Sequence, residues 1–226
     1  MKKITKIYCD FDGTITKLDT VNAFYEKFAD KSWTDSEELW VAGKITSLEN
    51  TTKQVSLLRE LSQKELDDFV DSVELTEGFL DFVKFLNEQK IELVILSDGF
   101  DYFIKEVLKK HNITNVKYYA NHLVYKNNKF SIEFPYYNNE CLKGAGMCKC
   151  DKVKEPEYCY IGDGTSDLCV AKKASMLFAT KSLCKFCVTN SINHVKFETF
   201  SDIIENVRNI NGVLYGNVNT KSISNH

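Results

Sequence analysis

The chain predicts an α/β fold, a doubly wound parallel sheet carrying a small inserted helical domain. Three observations lead there. Short apolar runs recur at 7–9, 91–96, 158–161 and 177–179, and the first three of them end in acidic, hydroxylic or glycine residues. Segments with apolar residues at helical spacing lie between these runs. Residues 17–75 carry helical spacing alone. Strands alternating with helices require a parallel sheet covered on both faces, so the purely helical stretch reads as an insertion into it.

Taken in order, the first strand ends at Ile7-Tyr8-Cys9, and Val21, Phe24, Tyr25 and Phe28 then mark a helix with Asp19 or Thr20 as its N-cap. Thr34 with Glu37 and Ser62 with Glu65 have capping-box spacing. Leu66, Phe69, Val70 and Val73 form one stripe, and Val55, Leu58 and Leu61 suggest a further helix set off by Gly43. The α/β rhythm resumes at Thr76. Phe79, Phe82, Val83 and Leu86 give a helix, 91–96 a buried strand, and Phe100, Phe103, Ile104 and Val107 the next helix. Two strands fall within 116–135 around an Asn127-Asn128 turn. A cysteine-rich loop, a strand at 158–161, a helix from about Asp167, a strand at 177–179 and helices near Leu183 and Ile203 complete the pattern. The expected domains are a core at 1–16 and 76–210 and a helical cap at 17–75. Residues 211–226 turn to Asn, Ser, Gly and Thr and are expected to fray.

Composition narrows the function. At 226 residues and 43% hydrophobic, the chain has material for one sizeable core. A formal net charge of −3 without a basic stripe argues against nucleic acid or an anionic membrane as partner. No apolar run approaches the roughly 20 residues of a membrane span, and Met1-Lys2-Lys3 precedes no signal-like segment. A cytoplasmic protein is the expectation.

The chemistry concentrates at strand ends. Asp10 and Asp12 stand two positions apart, so both face the space beyond the first strand's C-terminal edge, where open α/β sheets bind ligands. Gly13 lets the backbone turn and offer N–H groups to an anion, and the Thr14 hydroxyl follows it. Two such carboxylates can hold Mg²⁺ against an approaching phosphate. One can attack phosphorus while the other handles the leaving-group proton. Ser97, ending the second strand, can bind a phosphoryl oxygen with the N–H groups of Asp98 and Gly99. Gly162-Asp163-Gly164-Thr165-Ser166-Asp167 follows a third strand and can complete a hard-cation site, with Asp167 also capping the next helix. Its strand–loop–helix setting and the missing bidentate Glu speak against a calcium-binding EF-hand. A cation is still needed for the transferring phosphoryl group, and Lys149 and Lys152 are the candidates.

These motifs resemble the signature set of the haloacid dehalogenase superfamily in its phosphatase form. They stand in that superfamily's order, and 17–75 occupies the place of its type-1 cap. The chain is similar to the phosphoserine phosphatase branch. Met147-Cys148-Lys149 and the Gly162–Asp167 motif also resemble phosphoethanolamine/phosphocholine phosphatases and the hydroxy-keto-methylthiopentenyl phosphate phosphatases of methionine salvage. Asn121-His122-Leu123 and Phe197-Glu198-Thr199-Phe200 are similar to that last group. The resemblance implies a Rossmannoid core, Asp10 as nucleophile and Asp12 as general acid/base. It implies Mg²⁺ on Asp10, the Asp12 carbonyl and Asp163, with Asp167 behind them, and Ser97 and Lys149 on the phosphoryl oxygens. Phosphoserine phosphatases have a substrate-contacting Glu where this chain has the shorter Asp19.

The expected function is therefore hydrolysis of a small phosphate ester through an aspartyl-phosphate. Phosphoserine, phosphoethanolamine, phosphocholine and a salvage-pathway enol phosphate all remain open. A phosphomutase with the same nucleophile and a catalytically silent phosphometabolite-binding module are the alternatives. Cys141, Cys148, Cys150, Cys184 and Cys187 include one C-x-x-C but no second, and read as reduced small hydrophobes ahead of a zinc site. The four histidines show no ligand spacing.

Overall fold

The computed structural model describes residues 3–141 and 144–212. After β1 (Lys6–Cys9) come four helices, α1 (Thr20–Phe28), α2 (Trp33–Val41), α3 (Ser47–Ser56) and α4 (Gln63–Ser72). Next are α5 (Phe79–Gln89), β2 (Glu92–Phe100), α6 (Asp101–Lys110) and a hairpin of β3 (Lys117–Lys126) and β4 (Lys129–Glu133). The chain closes with α7 (Lys149–Lys152), β5 (Cys159–Gly162), a 3-10 turn (Thr165–Asp167), α8 (Leu168–Ala171), β6 (Met176–Ala179), α9 (Lys181–Thr189), β7 (Val195–Lys196) and α10 (Phe200–Asn211).

The strands form one sheet in the order β4-β3-β2-β1-β5-β6-β7, parallel except for the β3–β4 hairpin. Strand order reverses at β1, so the crevice between β1 and β5 at their C-terminal ends is the topological switch point. Both faces of the sheet are covered. Along β1, Ile7 and Cys9 pack into one apolar cluster and Tyr8 into the other, as a period of two requires. The four inserted helices share the first cluster. Phe24 of α1 stacks on Phe69 of α4, Phe103 of α6 and Phe130 of β4, with ring centroids 4.8–5.6 Å apart. Each fully buried ring contributes on the order of 2–3 kcal/mol. The insert is thus anchored to the sheet through continuous aromatic packing.

Several local expectations are corrected. Thr34 does not cap a helix: α2 starts at Trp33, and the Thr34 hydroxyl donates to Lys31 O at 3.0 Å. The box at Ser62/Glu65 is present, and a second one stands at Thr46/Glu49. α3 ends at Ser56, so Leu58 and Leu61 are not helical; Leu58 bridges Ala29 and the Leu61 N–H donates to Asn128 O. β2 runs through Ser97-Asp98-Gly99 to Phe100. Leu96 pairs with Tyr119 and Phe100 with Asn121, so three β2 residues oppose one on β3 and bow out of the ladder. The two-residue β7 joins the sheet edge unannounced by pattern. Asn211, which the sequence reading puts in the tail, is the last residue of α10 and its amide bonds the Ile4 backbone, and Gly212 closes the helix at φ +69°. The remainder of that tail lies outside the described residues.

Candidate active site

Asp10 leaves β1 with its N–H still donating to Ile161 O of β5 at 2.9 Å, which fixes the carboxylate over the switch point. The Phe11 carbonyl accepts from the N–H groups of Thr14, Ile15 and Thr16 and turns the chain at once. Gly13 makes this turn at φ +75°, and a Cβ there would come within 2.5 Å of Asp163 Oδ2. Only glycine serves at that position.

The C-terminal ends of β1, β2 and β5 meet the short helix α7 here. Carboxylate oxygens of Asp10, Asp163 and Asp167 lie within 4.8 Å of one another. The buried Lys149 ammonium sits among them, 2.6 Å from Asp10 Oδ1, 2.6 Å from Asp167 Oδ1 and 3.1 Å from Ser166 Oγ. Burial would lower the Lys149 pKa, but the Asp10 and Asp167 charges hold it well above its ordinary value. Lys152 lies elsewhere, paired with Asp151 at 2.8 Å and over the Tyr136 ring. The helix carrying Lys149 has a single turn, yet that turn suffices because the side chain reaches inward from its first residue.

The carboxylates crowd one another without enough positive charge. Burial raises Asp10 well above the carboxylate range, Asp167 and Asp163 push it further, and Lys149 opposes them. Asp163 is raised by burial and by Asp167, against Lys149 and Lys181. Asp12 is pushed up to about 7 by burial and by Asp19, against bonds from Ser97 and Thr20. All the donors are hard oxygens in a partly dry site with unbalanced negative charge, a set that fits a small divalent cation.

The other expected residues take definite places. Ser97 Oγ donates to Asp12 Oδ2 at 2.9 Å and accepts from the Gly99 N–H at 2.8 Å. That N–H, expected on a phosphoryl oxygen, is therefore used internally. Asp98 also departs from the expectation: its carboxylate accepts from Ser47 Oγ at 2.5 Å and Met147 N at 2.9 Å, with Asn121 Nδ2 beside it. It ties cap, β3 and the lysine loop together. The Thr14 hydroxyl donates to Asp163 Oδ1 at 3.3 Å. Asp167 does not cap the following helix with its side chain; Oδ2 accepts from the N–H groups of Asp163 and Gly164 at 3.0 Å, and Oδ1 from Tyr160 as well as Lys149. Both oxygens are thereby committed to shaping the loop. Asp19 caps α1, accepting from Asn22 N at 2.9 Å, and lines the same cavity as Asp10 and Asp12.

Lys181 was not foreseen. At φ +44°, its ammonium donates to Gly13 O and stands 3.3 Å from Asp163 Oδ2, clamping the first turn to the third loop. No sequence signal separates it from the other lysines. All eight cysteines are free thiols.

A parallel sheet whose switch point carries these acids and a buried lysine is built to hold a divalent cation against a phosphate group. Residues 7–172 match the family model of the haloacid dehalogenase-like hydrolases. A 2-hydroxy-3-keto-5-methylthiopentenyl-1-phosphate phosphatase of Geobacillus thermodenitrificans is 32% identical over 217 residues, covering 93% of this chain and 98% of that protein. One of Brevibacillus brevis is 33% identical over 211 residues, covering 90% and 95%. A substrate-bound phosphoserine phosphatase structure superposes with a TM-score of 0.67 at 21% identity, over 91% of this chain and 99% of that one. A phosphoserine phosphohydrolase-like protein of Francisella tularensis gives 0.66 at 20%, over 91% and 99%. The chain belongs to the haloacid dehalogenase-like hydrolase family, and it is a phosphatase of that family.

Proposed function

We propose that the protein is a Mg²⁺-dependent phosphomonoesterase that works through a phosphoryl group on Asp10, with a methionine-salvage enol phosphate of the hydroxy-keto-methylthiopentenyl kind as its substrate. The observation that carries the chemistry is the buried cluster of Asp10, Asp163 and Asp167 around Lys149. The substrate rests on relatives bearing that activity in their names and matching nine-tenths of the chain or more. A second feature supports it. The cavity over Asp10, about 380 Å³, shares Trp40, Val41, Ser47, Asp98, Thr165 and Ser166 with a neighbouring one of about 740 Å³, whose further walls include Ile45, Ala145, Met147 and Leu168. A phosphate held at Asp10 leaves room beside it, with these apolar side chains among polar ones such as Lys44 and Glu49, for a thioether tail.

In this reading residues 1–16 and 76–210 form the catalytic core and 17–75 the cap. Asp10 attacks phosphorus in line, Asp12 protonates the departing oxygen, and Asp12 then takes a proton from the water that cleaves the acyl phosphate. A pKa near 7 suits a group that must give and regain a proton at neutral pH. Its other oxygen, Oδ1, is buried without a partner among the described residues, which leaves it free to carry the proton for the leaving group. Lys149 and Ser97 hold phosphoryl oxygens, while Asp10, the Asp12 carbonyl and Asp163 hold Mg²⁺ with Asp167 orienting the loop. When bound, the cation neutralises charge on the phosphoryl group. The test is phosphate release from the enol phosphate, phosphoserine, phosphoethanolamine and phosphocholine, with Mg²⁺ and with chelator. Mg²⁺-dependent release, fastest from the enol phosphate, is expected. Equal rates in chelator, or no release from any ester, would contradict the proposal.

A further inference from the structure

The cap side of the catalytic cavity holds a built polar site with a defect in it. Glu37 of α2 reaches across to α3, where its Oε2 accepts from Asn50 Nδ2 at 2.8 Å and Gln54 Nε2 at 3.0 Å. Asn50 and Gln54 are one helical turn apart and only 5% and 3% exposed. A carboxylate accepts only, so both amides must turn their NH₂ groups to it. Asn50 Oδ1 is thereby forced to the other side, where it is buried and has no partner among the described residues. Glu37 Oε1 accepts no hydrogen bond among the described residues. A buried acceptor left unpaired costs about 1–3 kcal/mol, a cost that a bound donor removes.

All three residues line the cavity that also exposes Asp10, Asp12 and Ser97. Asp19 lines this cavity too, and no Lys, Arg or His is among the described residues lining it. The cap residues of this cavity therefore bring carboxylates and an unpaired amide oxygen to it, with no cationic side chain among the described lining residues. We infer that Glu37 and Asn50 form a specificity site for an O–H or N–H donor on the organic part of the phosphate ester, and that the site rejects a carboxylate there. The inference rests on the phosphatase reading for where the phosphate sits, and it separates this chain from an enzyme whose substrate is an amino acid phosphate. A hydroxyl and an ammonium group share this donor chemistry.

Binding of non-hydrolysable phosphonates, measured calorimetrically in Mg²⁺ on the wild-type protein, tests the site without relying on turnover. The probes are propylphosphonate, 2-hydroxyethylphosphonate, 2-aminoethylphosphonate and 2-amino-3-phosphonopropanoate. At least one donor-bearing probe is expected to bind about tenfold tighter than propylphosphonate, and the carboxylate-bearing one more weakly than 2-aminoethylphosphonate. In Glu37→Gln, the new amide can still accept from Asn50 and Gln54 but turns its own NH₂ to the cavity. It should lose about tenfold for the donor-bearing probe and leave propylphosphonate within twofold. Asn50→Ala, retaining Glu37, should show the same selectivity of loss. If only the amine probe suffers in Glu37→Gln, the donor is an ammonium group; if the hydroxyl probe suffers as well, a neutral donor suffices. Equal binding of propylphosphonate and the donor probes, tight binding of the carboxylate probe, no binding by any probe, or a uniform loss in both variants overturns the inference. Phosphate release from ethyl phosphate, followed in parallel, reports separately on the phosphatase reading.

Discussion

The two ends of this sheet treat charge in opposite ways. At the N-terminal end, Lys6 of β1 pairs with Glu155 at 2.7 Å and Glu92 at 3.1 Å, and the Tyr8 hydroxyl also donates to Glu155. Burial works to raise Glu155, but Lys6 and Tyr8 outweigh it and bring the group down to about 2. The fold stabilises that charge. At the C-terminal end, Asp10, Asp163 and Asp167 share one buried lysine, and Asp10, Asp12 and Asp163 are all raised. The fold there opposes its own charges and holds them in place by packing. One end contributes to stability. The other stores unfavourable electrostatics for a cation and a phosphate to relieve.

That contrast is broken most severely by Lys149→Met. Removing the only ammonium among the described residues within bonding distance of both Asp10 and Asp167 leaves these carboxylates without it, so unfolding in chelator at pH 8 should show a loss of about 3–5 kcal/mol. A loss under ~1 kcal/mol would mean the lysine does not balance the cluster. The next effect runs the other way: Mg²⁺ at about 100 times its Kd should stabilise the wild type by ~2.7 kcal/mol, seen as a rise in Tm, and Asp163→Asn should abolish that rise. A rise that survives in the variant places the cation elsewhere.

A third test uses Asp12. Its folded pKa of about 7 lies above the unfolded value near 3.9. Between those limits the native state binds the extra proton, so metal-free stability should fall as pH rises from ~4 to ~7. Asp12→Asn should flatten this slope and raise Tm at pH 8 by several degrees. An unchanged slope would show that Asp12 is not raised by the fold. Glu155→Gln gives the smallest effect, of opposite sign. Its stabilising charge is complete above the unfolded pKa near 4.3 and fades as pH falls toward 2. The variant should lose up to ~1 kcal/mol at pH 7 and nothing at pH 2, and an equal deficit at both would assign the loss to packing.

How much of this was legible in the chain follows from locality. Asp10, Asp12, Asp163 and Asp167 stand directly after apolar strands beside glycines, so pattern alone carries them to one sheet edge, where the structure brings them together. Lys149 was harder, because a single helical turn offers no periodicity. Asp98 and Gly99 turned inward because β2 continues through them in a bulge, which depends on the register of β3. Glu37, Asn50 and Gln54 were invisible as a unit. They lie on two helices, and Glu37 sits at capping-box distance from Thr34, a local signal that tertiary packing overrode. Lys181 acts across 168 residues of sequence on Gly13. Short-range chemistry reached the strand ends; contacts between distant segments did not.

The most direct test is to react the protein with its fastest phosphate ester in Mg²⁺, quench in acid within a turnover, and map phosphoryl groups by mass spectrometry. Wild type should carry one phosphoryl group on the peptide containing Asp10, and Asp10→Asn should carry none and release phosphate at least ~1,000-fold more slowly. A wild-type turnover with no phosphorylated peptide, or phosphate release near the wild-type rate from Asp10→Asn, would contradict attack by Asp10.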